Sequence, residues 1–288
     1  MPASSYVNTY LNLDCWVGDT FTTTWVRNYL QSGLDDKAKN AAMAYADFVR
    51  GVGKLLGKPG LGALPNLFEI KGDEYLATSM WRVYNGKGAP DEIQDALWLA
   101  SLCGLVDDTS VDKYCDNYLG IDCGGFVANY WGMGHPSKGA FNPTGATGFK
   151  PRTIWGLYPS LRRRSAPEIR VDDAAIFFKD VKNDNPDIMA GKNPDGSYNT
   201  SSGSQAFHIG LVSSVTLAGA NSVTLEIAES SGATTPNGGT GVNVRSLGTV
   251  AATVANKLVY CPDGKNRIYF IGSQSAAFPY PPYSYGAS

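Results

Sequence analysis

The chain reads as an α+β protein, with its helices gathered in the first half and its strands in the second. Three observations lead there. Apolar residues recur at three- and four-residue spacing through much of the first hundred positions, a short and very apolar helix starts at Cys123, and beyond it β-branched runs alternate with turn residues. Runs of helix followed by runs of strand pack as segregated layers rather than as alternating βα units.

The first helix can be capped by Asp35 and Asp36. It carries Tyr45, Phe48, Val52 and Leu55 on one face and ends at Gly57 and Pro59. A second runs from Asp73 through Leu76, Met80 and Val83. A third opens at Pro90, a residue suited to the first helical turn, and carries Ile93, Leu97 and Ala100. The tryptophans here, Trp16, Trp25, Trp81 and Trp98, are expected in the core. Strands are expected over 171–178, 207–215, 222–231, 242–247, 257–261 and 267–271, with a hairpin turn around 218–221. Segments 132–160 and 180–206 are rich in turn residues and flank the strands, which makes them candidate walls of a cleft. The organisation expected is a helical region over 1–105 packed on a unit over 106–275, with a Pro- and Tyr-rich tail over 276–288.

Composition bounds the chemistry. Of 288 residues, 43% are hydrophobic and 17% charged, enough to bury a sizeable core. A net charge of −2 offers no electrostatic reason to bind nucleic acid. Arg162, Arg163 and Arg164 form a short basic cluster best read as a solvated face. The five cysteines are irregularly spaced, which argues against a disulfide framework and fits synthesis in a reducing compartment. Cys103, Cys115, Cys123 and His135 lack the close cysteine pair of a zinc site, and Asp180, Asp184 and Asp187 lack the spacing of a calcium loop. No cofactor and no metal is therefore expected. The sequon at Asn199 has no secretory context to act in. No basic-then-apolar leader and no membrane span is expected either.

The chemistry-bearing stretch is Leu119–Phe126, in which Cys123 is preceded by Asp122 and followed by Gly124 and Gly125. Phe126, Val127 and Tyr130 continue at helical spacing. A thiol at the first turn of a helix meets unpaired backbone N–H groups and the positive end of the helix dipole, which favour the thiolate. The two glycines leave room for a substrate backbone near the sulfur, at a cost of about 1 kcal/mol each in helix propensity. A thiol nucleophile needs a base, and the chain has two histidines. His135 lies in a turn sequence past the far end of the same helix. His208 stands at the mouth of an apolar strand, where it can meet a helix N-terminus across the fold. The orienting group is expected on the partner strand. Glu229 at its end is favoured over Glu226, which reads as a solvent-side residue, and over Ser230.

Three motifs in order, Gly-Ile-Asp-Cys-Gly-Gly-Phe-Val around Cys123, the Val171–Phe178 strand and His-Ile-Gly-Leu-Val from His208, resemble the NlpC/P60 superfamily of papain-like cysteine peptidases. The likeness covers roughly residues 110 to 272. Glu229 with its following serines resembles the acid of the related CHAP amidases. The family's usual serine after the cysteine is Gly124 here. Its upstream tyrosine is best matched by Tyr114 rather than Tyr118, without the glycine pair that usually follows. The resemblance implies a papain-like core, with the cysteine helix packed on an antiparallel sheet. It also implies an amidase that cleaves peptidoglycan stem peptides through Cys123, His208 and Glu229. Tyr114, Gly124 and Gly125 would then lie near the substrate and the oxyanion, with the Cys123 amide as donor. Without a visible leader, such an enzyme would be a phage lysin or, as favoured here, an antibacterial effector delivered to a target periplasm or cell wall, with an immunity protein as partner. Two alternatives share the fold: a deamidase or transglutaminase toxin acting on a protein, and a non-catalytic binding protein.

Overall fold

A computed structural model describes residues 1–31, 36–55, 74–132, 150–179, 185–190, 206–232 and 241–273. The helices are α1 (Ala3–Leu11), α2 (Asp36–Leu55), α3 (Glu74–Val83), α4 (Pro90–Leu102), α5 (Val111–Tyr118), α6 (Cys123–Tyr130), α7 (Pro151–Leu157) and the short α8 (Pro186–Met189). The strands are β1 (Leu13–Val17), β2 (Thr20–Thr24), β3 (Ala174–Phe178), β4 (Ala206–Gly219), β5 (Ser222–Ser231), β6 (Gly241–Ala251), β7 (Thr253–Ala255), β8 (Leu258–Asp263) and β9 (Asn266–Ile271). The α+β class holds, with helices before and around an antiparallel sheet.

The main sheet has seven strands in the order β6-β5-β4-β3-β9-β8-β7, all antiparallel. Its two edge strands, β6 and β7, are consecutive in the chain and joined only by Ala252. The sheet must therefore curl until its edges approach each other, and Arg245 on β6 indeed reaches Asp263 on β8. Curling separates two faces, which are read off β3. Ile176 and Phe178 join the large core beneath the helices, while Ala175 and Phe177 join a second cluster with Val223, Leu225, Ile227, Val259 and Phe270. Alternation along a strand allows both faces to be buried at once.

The large core runs without a break from Ala3 to Ile271, so the N-terminal helices belong to the same hydrophobic body as the sheet. Tyr6 and Tyr10 of α1 pack against Phe126 of α6, with ring centroids 5.3 Å and 6.0 Å apart. That contact fixes α6 between the N-terminal helices and strands β4 and β5.

Two expectations fail. The first hundred residues are not all helical, because β1 and β2 form a hairpin turning at Gly18, whose φ is +60°. The alternating burial of Leu13, Cys15 and Val17 is its sequence trace. Nor do the tryptophans fill the core. Trp16 is 53% and Trp98 44% exposed, whereas Tyr10, Phe48, Phe126, Trp131 and Trp155 are among the fully buried aromatics. No described helix is long and apolar enough to cross a membrane. The tail over 276–288 lies outside the described residues, as do His135, Asp180, Asp184 and Asn199.

Candidate active site

Cys123 is the first residue of α6 and is 6% exposed. Asp122 caps that helix, its Oδ1 accepting from the Gly125 amide at 2.6 Å, and its main-chain carbonyl accepts from the Phe126 amide at 2.9 Å. Among the described residues, the amides of Cys123 and Gly124 are left without a partner. They are the donors that an oxyanion beside the sulfur would meet. The other Asp122 oxygen is ion-paired with buried Lys87. Lys87 is held in turn through its carbonyl, which accepts from Asn129 at 3.0 Å, and Asn129 lies near the far end of α6. The helix start is thus braced by a cap, an ion pair and a strap to its own C-terminal turn.

Gly125 has a different task from the one its sequence suggests. A Cβ there would stand 2.7 Å from the Gly86 carbonyl oxygen and 3.1 Å from Lys87 Cα. The space beside Gly125 is filled by the protein's own Gly86–Lys87 strap, and this packing, not an approaching substrate, requires the glycine. Gly124 remains in the buried first turn beside the sulfur.

His208 lies in β4, paired in register with Phe177 of β3. Through Nε2 it hydrogen-bonds the Oε2 of Glu229 at 2.9 Å, and the Cys123 sulfur stands close enough to favour its protonated form. Burial disfavours the imidazolium, but the bonds to Cys123 and Glu229 outweigh it and push the His208 pKa up to about 10. Burial alone would raise the Glu229 carboxyl. His208 and Arg245 together hold it below the usual carboxylate range. An ionised carboxylate can only accept, so Nε2 carries a proton and Nδ1 is left to face the thiol. Cys123, His208 and Glu229 are all nearly buried, so the chain of bonds operates with little competition from water.

Glu229 reaches His208 because of the glycine between them. A Cβ at Gly210 would meet Ile227 Cγ2 at 2.5 Å and Glu229 Cβ at 3.2 Å, so the glycine two residues after the histidine lets β5 lie close. Its neighbour Ser230 donates to the Ile121 carbonyl at 2.6 Å, tying the end of β5 to the segment that leads into Cys123. Ser230 is therefore occupied elsewhere. Glu226, paired opposite Ser214 and Ser246, is only partly buried and takes no part.

Arg245 completes the site and has no forewarning in the sequence. Its Nε donates to Glu229 Oε1 at 3.0 Å, and its Nη1 lies 3.3 Å from both oxygens of Asp263. Its guanidinium stands 5.3 Å from the Phe177 ring centre, and that ring lies 4.9 Å from the imidazole. His208, Glu229, Arg245 and Phe177 form a closed ring of contacts that holds the imidazole on both sides. A period-two reading of β6 could have turned Arg245 inward, but nothing in the sequence specifies its partner.

Tyr114 sits apart from this arrangement. Its hydroxyl is 2.7 Å from that of Tyr84, its ring is edge-on to Tyr118, and burial pushes its pKa up to about 12. It is a core residue of α5, engaged with Tyr84 rather than with the thiol. Of the metal sets, Cys115 accepts from Thr24 Oγ1 at 3.6 Å and Asp187 pairs with Arg162 at 2.7 Å. Among the described residues no group of three potential ligands forms. Comparison with protein-family models, with curated proteins and with solved structures found no match to this chain.

Proposed function

We propose that this chain is a cysteine hydrolase on a papain-like core, acting on amide bonds of peptidoglycan stem peptides. One observation carries the chemistry: buried Cys123 at a helix start interacts with His208, which is hydrogen-bonded through Nε2 to buried Glu229. The Cys123 thiol passes its proton to His208, and the resulting thiolate attacks the amide carbonyl. The tetrahedral oxyanion is met by the unpartnered amides of Cys123 and Gly124 at the positive end of α6. His208, protonated between thiol and carboxylate, gives its proton to the departing amine, and a thioester remains on Cys123. Water attacks the thioester with His208 as base, releasing the acid and restoring the thiol. Glu229 keeps the imidazole in one orientation and favours its charged form. The substrate class rests on the resemblance carried by the three ordered motifs around Cys123, Ala174 and His208, and delivery as an antibacterial effector is part of the same proposal.

Purified protein incubated with muropeptides, with products resolved by mass, tests this reading. The expected result is amide cleavage that is lost in Cys123→Ala and in His208→Ala, with the double variant no worse than either single, because the pair acts as one unit. Full activity in Cys123→Ala would overturn the cysteine chemistry. Cys123-dependent release of ammonia from glutamine side chains, with muropeptides untouched, would move the substrate to protein.

A further inference from the structure

The carboxylate that holds the imidazole is itself held from its other side. In the β5–β6 pair Glu229 stands opposite Asn243 and Arg245 opposite Ile227, so Glu229 and Arg245 are diagonal neighbours on one face of the sheet. The Glu229 carboxylate is divided between two cationic partners. Its Oε2 accepts from His208 Nε2 at 2.9 Å and its Oε1 from Arg245 Nε at 3.0 Å, so it cannot turn toward one without releasing the other. Arg245 is fixed in its turn. Its Nη1 stands 3.3 Å from each oxygen of Asp263 on β8, a strand far from β6 in the order of the sheet. Its guanidinium also lies 5.3 Å from the centre of the Phe177 ring that backs the imidazole.

His208, Glu229, Arg245 and Asp263 thus form a row of alternating charge. Side-chain exposure rises along it, from 3% at Glu229 to 20% at Arg245 and 27% at Asp263, so the row leads from the buried site toward solvent. A carboxylate that faces an imidazole alone stabilises the imidazolium with its whole charge. One that also faces a guanidinium shares that charge, and the guanidinium repels the imidazolium besides. Asp263 acts in the opposite sense, because it offsets part of the Arg245 charge. Other groups on the elements around His208 are accounted for. Cys123 starts α6, and the Lys179 ammonium lies 5.2 Å from the Phe207 ring centre. Asp122 is spent on the Gly125 amide and on Lys87, and Glu226 faces Ser214 and Ser246.

We propose that Arg245, anchored by Asp263, is a positioning residue that holds Glu229 in its bridging place and limits how firmly that carboxylate keeps the proton on His208. On the hydrolase reading of Cys123, His208 and Glu229, on which this rests, Arg245 then has a task in the chemistry. His208 must give a proton to the leaving amine and afterwards take one from water. Once Cys123 is acylated its thiolate charge is gone, and Glu229 and Arg245 are left to set the balance. A buried carboxylate undivided between partners would hold the imidazolium too firmly for the second step. Arg245 keeps both steps within reach of one imidazole.

NMR titration of the His208 ring protons tests this in the full chain carrying Cys123→Ala, which removes the thiolate charge as acylation does. The chain has two histidines, and the signal lost in His208→Ala assigns the ring. Arg245→Gln keeps a donor for Glu229 but loses the charge. It should raise the His208 midpoint by about one pH unit, the effect of a like charge one carboxylate away in a partly buried place. Arg245→Lys restores the charge and should cancel about half of that rise or more. Asp263→Asn should instead lower the midpoint by about half a unit, since Arg245 then bears on Glu229 alone. This variant leaves the Glu229–Arg245 bond in place, so it decides the matter should Arg245→Gln not fold. A strap that only joined strands would not move the midpoint in opposite directions. An unmoved midpoint in Arg245→Gln, or one that stays or rises in Asp263→Asn, would overturn the proposal. No substrate enters the titration, so a wild-type chain that leaves muropeptides uncut would count against the hydrolase reading and leave the titration result standing.

Discussion

Asp91→Asn should stabilise the free protein, and the pH dependence of that gain identifies its cause. The amide has nearly the shape of the carboxylate, so packing is preserved and only the charge is lost. The folded-state pKa stands at about 6 against an ordinary value of 3.8, because burial and the neighbouring Glu92 disfavour the anion. A rise of about two units corresponds to about 3 kcal/mol at about 1.4 kcal/mol per unit. The sign follows from linkage. The folded state holds this proton more tightly than the unfolded chain, so the wild type loses stability as pH climbs from about 4 through about 6. The variant has no proton to lose. It should be more stable by about 2–3 kcal/mol above pH 7, the lower figure allowing for the new amide donors, and equal to wild type near pH 3.5. Urea denaturation followed by tryptophan fluorescence across this range measures it. Glu92→Gln is the control of opposite sign, since its carboxylate is bonded to Ser79, Arg82 and the Ala89 amide. Equal stability of Asp91→Asn and wild type at pH 8, or a gain that does not change with pH, would refute the account of a buried, uncompensated charge.

Other substitutions address the candidate site. Glu229→Gln should slow hydrolysis by about 10²-fold or more, yet less than His208→Ala, because one amide cannot accept from both His208 and Arg245; Glu226→Gln should be nearly silent in the same assay. Arg245→Ala leaves buried Glu229 without its second partner and should destabilise the fold by about 3 kcal/mol at pH 7. That loss should shrink in urea titrations at pH 4, where the carboxylate begins to take up protons. Gly125→Ala gains about 1 kcal/mol of helix propensity but drives a Cβ to 2.7 Å from the Gly86 carbonyl, a backbone atom that cannot swing away. A net loss of about 1–3 kcal/mol is expected in thermal unfolding, with activity falling further as α6 and Cys123 are displaced.

Several elements were legible because their signals are local. The helix starting at Pro90 and the strand pairs 207–215 with 222–231 depend on residue spacing and turn chemistry within about twenty positions. The start of α6 at Cys123 is equally local, and Asp122 immediately before it is the kind of residue that caps a helix. The β1–β2 hairpin escaped notice because two five-residue strands carry too few alternations to stand out from a helical neighbourhood. The tryptophans were misplaced because size suggests burial, while among the described residues no second layer covers Trp16 and Trp98.

By itself the sequence determined which residues could supply the chemistry: a thiol at a helix N-terminus, a histidine opening a strand, and an acid near the end of the next strand. Their residue types and local positions suffice for that, because helix ends and strand alternation are short-range properties. Only the tertiary structure decided that Glu229 rather than Glu226 or Ser230 meets the imidazole, since that choice depends on the register of β5 against β4 and on the close approach permitted at Gly210. It also decided what the sequence had no means to express. Gly125 yields to the Gly86–Lys87 strap, Tyr114 turns to Tyr84, and Arg245 braces Glu229 because the sheet curls β6 toward β8. Each joins residues from sixteen to nearly forty positions apart, and such pairings are set by how whole layers pack, not by any neighbouring residue.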